Sequence, residues 1–374
     1  MVSVGKYATA EVTELLDRAL NAPNALEMFA EASTQLRRLV PFDAAVWRTT
    51  DPVTGLMTAP VRAENLDDGG CAVYWGCELF TENVNLFRDL ARSKSPVASL
   101  RAATGDLPRR STLYRDYMRP RGLTDELRAV MRVGGHPRGH ISLFRAQGSP
   151  AFGPQDSKIV ESLVVPLAKR LRSYAEPGVA VVAPGSPGPG LLIFDSANRL
   201  VSANDEALEH LAELPEGPAV HTPLGVRVPA WMESTVIQAR AIVQERARGS
   251  ARIRMRTRAG RWLVCHASCL RAADGLVTST AVVIEPAKVS EVLPLIVDAY
   301  GLSERELEIT QCVSRGLPTG EIADQLFLSP HTVRDHIKAI FEKVGVSSRG
   351  ELVGRLFTEH YEPLAIKNIL RVAD

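Results

Sequence analysis

Cysteine is scarce in this chain, and so are signals for export. Five Cys among 374 residues are too few to staple a secreted scaffold, and the first twenty positions carry Glu11, Glu14 and Asp17 where a leader would carry an apolar core. A reducing, cytoplasmic home is the expectation. An excess of one charge is also missing: 44 Lys and Arg face 43 Asp and Glu, for a net charge of +1. That excludes a uniformly basic, histone-like binder, so any nucleic-acid surface must arise from local segregation of charge. No run approaches the roughly 18 apolar residues of a membrane span, and the best, residues 179–184, is short and ends in Pro and Gly. What remains is a composition 45% hydrophobic and long enough for two or three ordinary domains.

Proline and glycine crowd into residues 177–190 (PGVAVVAPGSPGPG), with four of each in 14 positions. Proline removes backbone donors and glycine is entropically costly to order, so this tract reads as a linker. A softer boundary follows the strand-like VTSTAVVI at 277–284, after which 289–300 has helical spacing and Gly301 stops it. The expected division is 1–176, a linker at 177–190, 191–288, and 289–374. The three parts carry balances of +3, +2 and −4, the middle one counted from 177 to 288. No internal repeat of 20 to 50 residues is present.

The last 75 residues hold the densest local signals. Ser303 with Glu306 makes a capping box, Ile309, Cys312 and Val313 give an apolar face, and Gly316 closes a short helix. Thr319 is placed as the cap of a second helix bearing Ile322, Ala323 and Leu326, although Gly320 inside it costs about 1 kcal/mol relative to Ala. Ser329 caps a third, with Pro330 at its first position. There Val333, Ile337, Ile340, Phe341 and Val344 make a buried stripe, and His331, Arg334, Asp335, Lys338 and Glu342 line the opposite face. Ser348 and Glu351 suggest another capping box, opening a fourth helix with Leu352, Val353, Leu356 and Phe357.

The run LSERELEITQCVSRGLPTGEIADQLFLSPHTVRDHIKAIFEKVGVSSRGELVGRLF, residues 302–357, resembles the C-terminal helix-turn-helix of LuxR-type (NarL/FixJ-like) transcription regulators. The resemblance implies an all-α four-helix domain whose third helix, about 330–344, enters the major groove of double-stranded DNA. It implies base contacts from Arg334, Asp335 and Lys338, although Asp335 could equally buttress Arg334. Phosphate contacts would fall to Thr319, Ser329, His331, Thr332, Ser348 and Arg349, with the Ser347 and Ser348 amides. Dimerisation through Leu352, Leu356 and Phe357 is implied as well, with a core role as the alternative.

Upstream, the order helix, antiparallel strands, helix gives an α+β layout. The stretch PFDAAVWRTTDPVTGLMTAP, the hairpin DELRAVMRVGGHPRGHISLFR and the cap FGPQD resemble a GAF-type sensory domain, which implies either a small-molecule pocket between sheet and helices or a dimer scaffold. Trp47, Tyr74, Trp75 and Phe80 read as core or pocket wall. Twelve basic residues from Arg88 to Arg138 face five acidic ones; the readings are recognition of an anionic ligand or of DNA phosphate and a solvated surface, with the surface preferred. After the linker, GLLIFDSANRLVSANDEALEHLAEL and three later strands form a second α+β region that resembles a PAS-type domain, without the flavin-binding cysteine motif. Its first late strand alternates Arg252, Arg254, Arg256 and Arg258 with Ala251, Ile253, Met255 and Thr257, so one face must be wet or paired. Cys265 and Cys269 sit about 13 Å apart on one strand face with His266 opposite, too far for a disulfide. Cys71 and Cys77 show no ligand spacing, so no metal site, catalytic residue or cofactor is expected beyond an unnamed small-molecule ligand.

The expectation is a multidomain cytoplasmic transcription regulator in which GAF-like and PAS-like regions sense a signal or mediate dimerisation. Its partners would be double-stranded DNA, a second copy or higher homo-oligomer, and RNA polymerase, but no membrane. The alternative is a GAF-type small-molecule-binding or redox enzyme with a regulatory DNA-binding tail.

Overall fold

The computed structural model describes residues 3–67, 70–175, 188–288, 291–292, 295 and 298–358. Most of the expected linker, 177–187, together with residue 176, and part of the expected helix at 289–300 lie outside the described residues. The chain divides into two compact units. One comprises Met1–Leu171, Pro187–Arg258 and Leu263–Pro286, and so takes in both α+β regions; the other contains the C-terminal helices.

In the first lobe of the larger unit, α1 (Ser3–Leu20) and α2 (Ala25–Leu39) precede β1 (Ala44–Thr50) and β2 (Met57–Glu64). Asn24 caps α2 by accepting from the Glu27 amide. The Asp51 turn joins β1 to β2, its Oδ1 accepting from the Val53 and Thr54 amides at 2.9 and 3.1 Å. Next come α3 (Cys71–Gly76), which runs on into a π turn at Cys77–Thr81, then α4 (Phe87–Leu90), β3 (Val97–Ser99) and α5 (Leu100–Thr104). The long hairpin of β4 (Leu123–Val133) and β5 (His136–Ala146) turns at Gly134-Gly135, both with positive φ, and α6 (Pro154–Ser173) follows. The strands form one sheet in the order β2-β1-β5-β4-β3. Alternation along β1 sends Trp47 toward Phe29 of α2, ring centres 6.0 Å apart, and Arg48 toward Tyr74, Trp75 and Phe87.

The second lobe contains β6 (Gly190–Asp195), β7 (Leu200–Ala203), α7 (Asp205–Ala212), a small hairpin of β8 (Ala219–His221) and β9 (Arg227–Pro229), and α8 (Ala230–Val243). The meander β10 (Arg252–Arg256), β11 (Trp262–Arg271) and β12 (Val277–Pro286) completes it. Its sheet order is β10-β11-β12-β6-β7. Numbered within its own lobe and read from the β7 edge, that is 2-1-5-4-3, the same order as in the first lobe. Every residue of α8 from Ala230 to Ala239 is buried, as expected of a helix packed on several sides. One hydrophobic core runs through both lobes, from Val61, Tyr74, Trp75 and Phe144 to Trp231, Met232, Ile253 and Ile284.

In the other unit, α9 (Glu304–Ser314), α10 (Thr319–Leu326), α11 (Pro330–Val344) and α12 (Arg349–Val353), the last continued by a π turn to Thr358, surround Ile309, Cys312, Ile322, Ala323, Val333, Ile337, Ile340 and Val344. Ser303 and Glu306 form a reciprocal capping box, and Gly345 ends α11 at φ 71°. Two local expectations need correcting. Thr319 lies inside α10, whose cap position is Pro318. Ser348 accepts from the Glu351 amide, but the Glu351 carboxylate turns to the amide and hydroxyl of Ser347 instead of closing a box on Ser348.

Candidate nucleic-acid interface and buried cavity

The apolar stripe of α11 is buried and its other face is open, because a 3.6-residue period places Val333, Ile337, Ile340 and Val344 on one side. Arg334, Asp335 and Lys338 are exposed on the second and third turns. Arg334 Nε donates to the Pro330 carbonyl at 3.2 Å, which holds the guanidinium along the helix. Asp335 pairs with His331, Nδ1 to Oδ2 at 2.9 Å, so the buttress considered for Arg334 is directed to His331 instead. Ser329 Oγ accepts from the Thr332 amide, putting both hydroxyls beside the helix start.

The remaining expected contacts are already engaged within the domain. Arg349 donates to the Leu317 carbonyl and to Thr319 Oγ1, both at 2.8 Å, and so ties α12 to the start of α10. The Ser347 amide expected to face phosphate donates to Glu351 at 2.7 Å. These hydrogen bonds hold the Glu351 carboxyl below the usual range. Leu352 and Leu356 are 1% and 0% exposed within the domain core, so the apolar surface expected at a dimer contact is spent inside the monomer. The Phe357 side chain lies outside the described residues. Sequence reasoning also missed the Lys343 Nζ bridge to Glu306 Oε2, at 2.6 Å. Burial pushes the Glu306 carboxyl up, but the Lys343 and Ser303 hydrogen bonds outweigh it and hold it below its ordinary value. Phe327, in the turn before α11, is 95% exposed at φ 53°.

Seven of the twelve basic residues of the Arg-rich segment, Arg88, Arg92, Lys94, Arg109, Arg110, Arg115 and Arg119, are exposed, as the surface reading expects, but the segment also sends charge inside. Arg128 is 2% exposed and bonds Glu78 at 2.7 Å and Glu126 at 2.9 Å, and Arg138 is buried too. Arg101 pairs with Asp106, Arg121 with Asp67, and Arg132 donates to carbonyls of the 90–94 loop. Tyr74 Oη joins this network by donating to Glu126 at 2.8 Å. His140 stacks on Phe87 at 4.2 Å, and burial beside Arg48 and Arg128 drives its pKa well down, keeping it neutral. No sequence signal marks these buried charges, because period 2 on a strand covered on both faces does not distinguish a core Arg from a wet one.

Beside the network lies a cavity of about 50 Å³, bounded by Val46, Arg48, Trp75, Tyr117 and Phe144 of the first lobe and by Ala219 and Ala230 of the second. Tyr74, Trp75 and Trp47 are buried, while Phe80 is half-buried. None of the five cysteines is in a disulfide; burial pushes the Cys77 and Cys265 thiols up, away from thiolate chemistry, and His266 is exposed. Among the described residues no cluster of His, Cys, Asp and Glu has metal-site geometry, and no helix is long and apolar enough to cross a membrane.

The four C-terminal helices, with a tight turn between α10 and α11 and an open polar face on α11, make up a helix-turn-helix domain. Residues 301–356 match the GerE family model, described as bacterial regulatory proteins of the luxR family, so the C-terminal domain is a LuxR-type helix-turn-helix. The oxygen regulatory protein NreC of Staphylococcus aureus is 46% identical over 52 residues, which cover 14% of this chain and 24% of that protein. A Mycobacterium tuberculosis protein described as an HTH-type transcriptional regulator is 40% identical over 52 residues, 14% of this chain and 6% of the other. The chain thus spans a quarter or less of the curated relatives it matches. Escherichia coli SdiA aligns over 93% of this chain and 95% of its own at 12% identity, but its TM-score of 0.34 is too low to bear on the fold.

Proposed function

We propose that this chain is a sequence-specific DNA-binding transcription regulator whose two α+β lobes are GAF-like and PAS-like sensory or dimerising modules. The observation that carries the reading is the LuxR-type domain, with Arg334, Asp335 and Lys338 exposed on the face of α11 opposite its core. A major groove accepts such a helix, where Arg and Lys donate to guanine O6 and N7 and a carboxylate accepts from cytosine N4. Ser329, His331 and Thr332 at the start of α11 would meet the flanking phosphates. Thr319 and Arg349 would act there as a preformed brace, and Ser348 at the start of α12. The common strand order of the two sheets supports a shared sensory architecture, and a cavity walled by both lobes offers a place for a signal to bias them.

The free positive charge of α11 is small. Lys343 is paired and Arg349 braced, leaving Arg334 and Lys338 as the exposed cations of the expected face in a region of net charge −4. Weak, salt-sensitive binding that needs two subunits on one site follows. The test is a gel shift of the full chain against selected operator fragments. Lys338→Ala and Arg334→Ala should each weaken specific binding by about 1–3 kcal/mol, roughly five- to 150-fold. Unchanged binding by both variants would remove the assignment, and tight, salt-independent binding by a monomer would remove the dimer model.

A further inference from the structure

The first-lobe cavity contains one group that the fold leaves short of partners. Arg48 is 2% exposed, yet its Nη2 finds only Ser142 Oγ, at 3.3 Å, and its Nε has no hydrogen-bond partner. Its Cζ lies 5.4, 5.2 and 4.5 Å from the ring centres of Tyr74, Trp75 and Phe87. Aromatic faces attract a guanidinium but cannot accept the hydrogen bonds in its plane. The nearby carboxylates of Glu78 and Glu126 are both bonded to Arg128, and among the described residues no ion pair reaches Arg48. A buried, under-bonded cation lining a cavity calls for an acceptor oxygen from outside the chain.

The remaining walls define the rest of that molecule. Val46, Trp75 and Phe144 on one side, and Ala219 and Ala230 on the other, are apolar, while Tyr117 and Asp67, the latter paired with Arg121, add polar groups at the wall. The volume of about 50 Å³ is a fraction of the roughly 150 Å³ of a cavity that takes benzene, so it admits only a few non-hydrogen atoms. We infer that this cavity binds a short acyl compound, whose carbonyl or carboxylate oxygen accepts from Arg48 and whose short tail lies against the aromatic wall and the Ala219 and Ala230 wall. Because those two alanines belong to the second lobe, occupancy would bias how the lobes pack. This inference rests on the sensory reading of the first lobe.

The test uses the full chain, with calorimetric titration and thermal melting against propionate and its near-isostere 2-butanone. Saturable binding of either supports the inference; preference for propionate identifies a carboxylate and preference for butanone a neutral carbonyl. Arg48→Met should lower the affinity roughly tenfold or more. Ala219→Leu, which keeps Arg48 but fills the space, should abolish binding and guards against misfolding of the first variant. Wild-type affinity in either variant with a native circular dichroism spectrum would overturn the inference. So would no effect of either probe on the parent chain, even where larger molecules stabilise it, and that last result would leave the sensory reading standing.

Discussion

Glu233 shows how one buried carboxyl makes stability depend on pH. It sits in α8, 8% exposed, with Oε2 unpaired among the described residues. Burial pushes its pKa from 4.5 up to about 7. Between those values the folded chain keeps a proton that the unfolded chain has released, so stability falls as pH rises through that window. The cost above pH 7 reaches about 3 kcal/mol. Glu233→Gln should be more stable than the parent at pH 8 and lack the decline from pH 5, as measured by urea unfolding of the full chain. An identical decline in both proteins would show that another group titrates.

At the scale of the element, α10 carries a local cost that its surroundings do not require. Gly320 lies in its first turn, and a Cβ built there meets nothing within 4 Å. Replacing it removes the extra backbone entropy of glycine without crowding the domain. Gly320→Ala should stabilise the helix-turn-helix domain by about 1 kcal/mol, raising its melting temperature by roughly 4–8 °C. A lower melting temperature by scanning calorimetry would mean that the glycine serves a contact made outside the isolated chain. The helices themselves were legible in sequence because their signals are short-ranged: Ser303 and Ser329 reach donors three residues away. The Thr319 cap was misplaced because Pro318 already supplies the extended backbone a cap position needs.

At the scale of the whole molecule, one of the alternating arginines of β10 acquires a purpose. Arg254 donates from Nε and Nη2 to the two carboxylate oxygens of Asp51, each at 2.8 Å, and its amide adds a third bond at 3.0 Å. The same carboxylate organises the β1–β2 turn, so one side chain shapes the first lobe and holds the second. Asp51→Asn keeps much of the turn but strands a largely buried guanidinium, and should cost about 3–5 kcal/mol in urea unfolding of the full chain. A loss under about 1 kcal/mol would show that the apolar core alone holds the lobes.

The sequence by itself determined the four C-terminal helices, the two hairpins of the first lobe and which face of α11 stays open, because caps, turn residues and periodicity act over a few neighbouring positions. Only the tertiary structure decided that Arg48 and Arg128 lie inside, that Leu352 and Leu356 belong to the core, that Lys343 answers Glu306, and that both sheets share one core. Asp51 and Arg254 meet across 203 residues of chain, and no local propensity encodes such a pairing. Which charges are buried is settled by what packs over them, and that covering comes from distant segments.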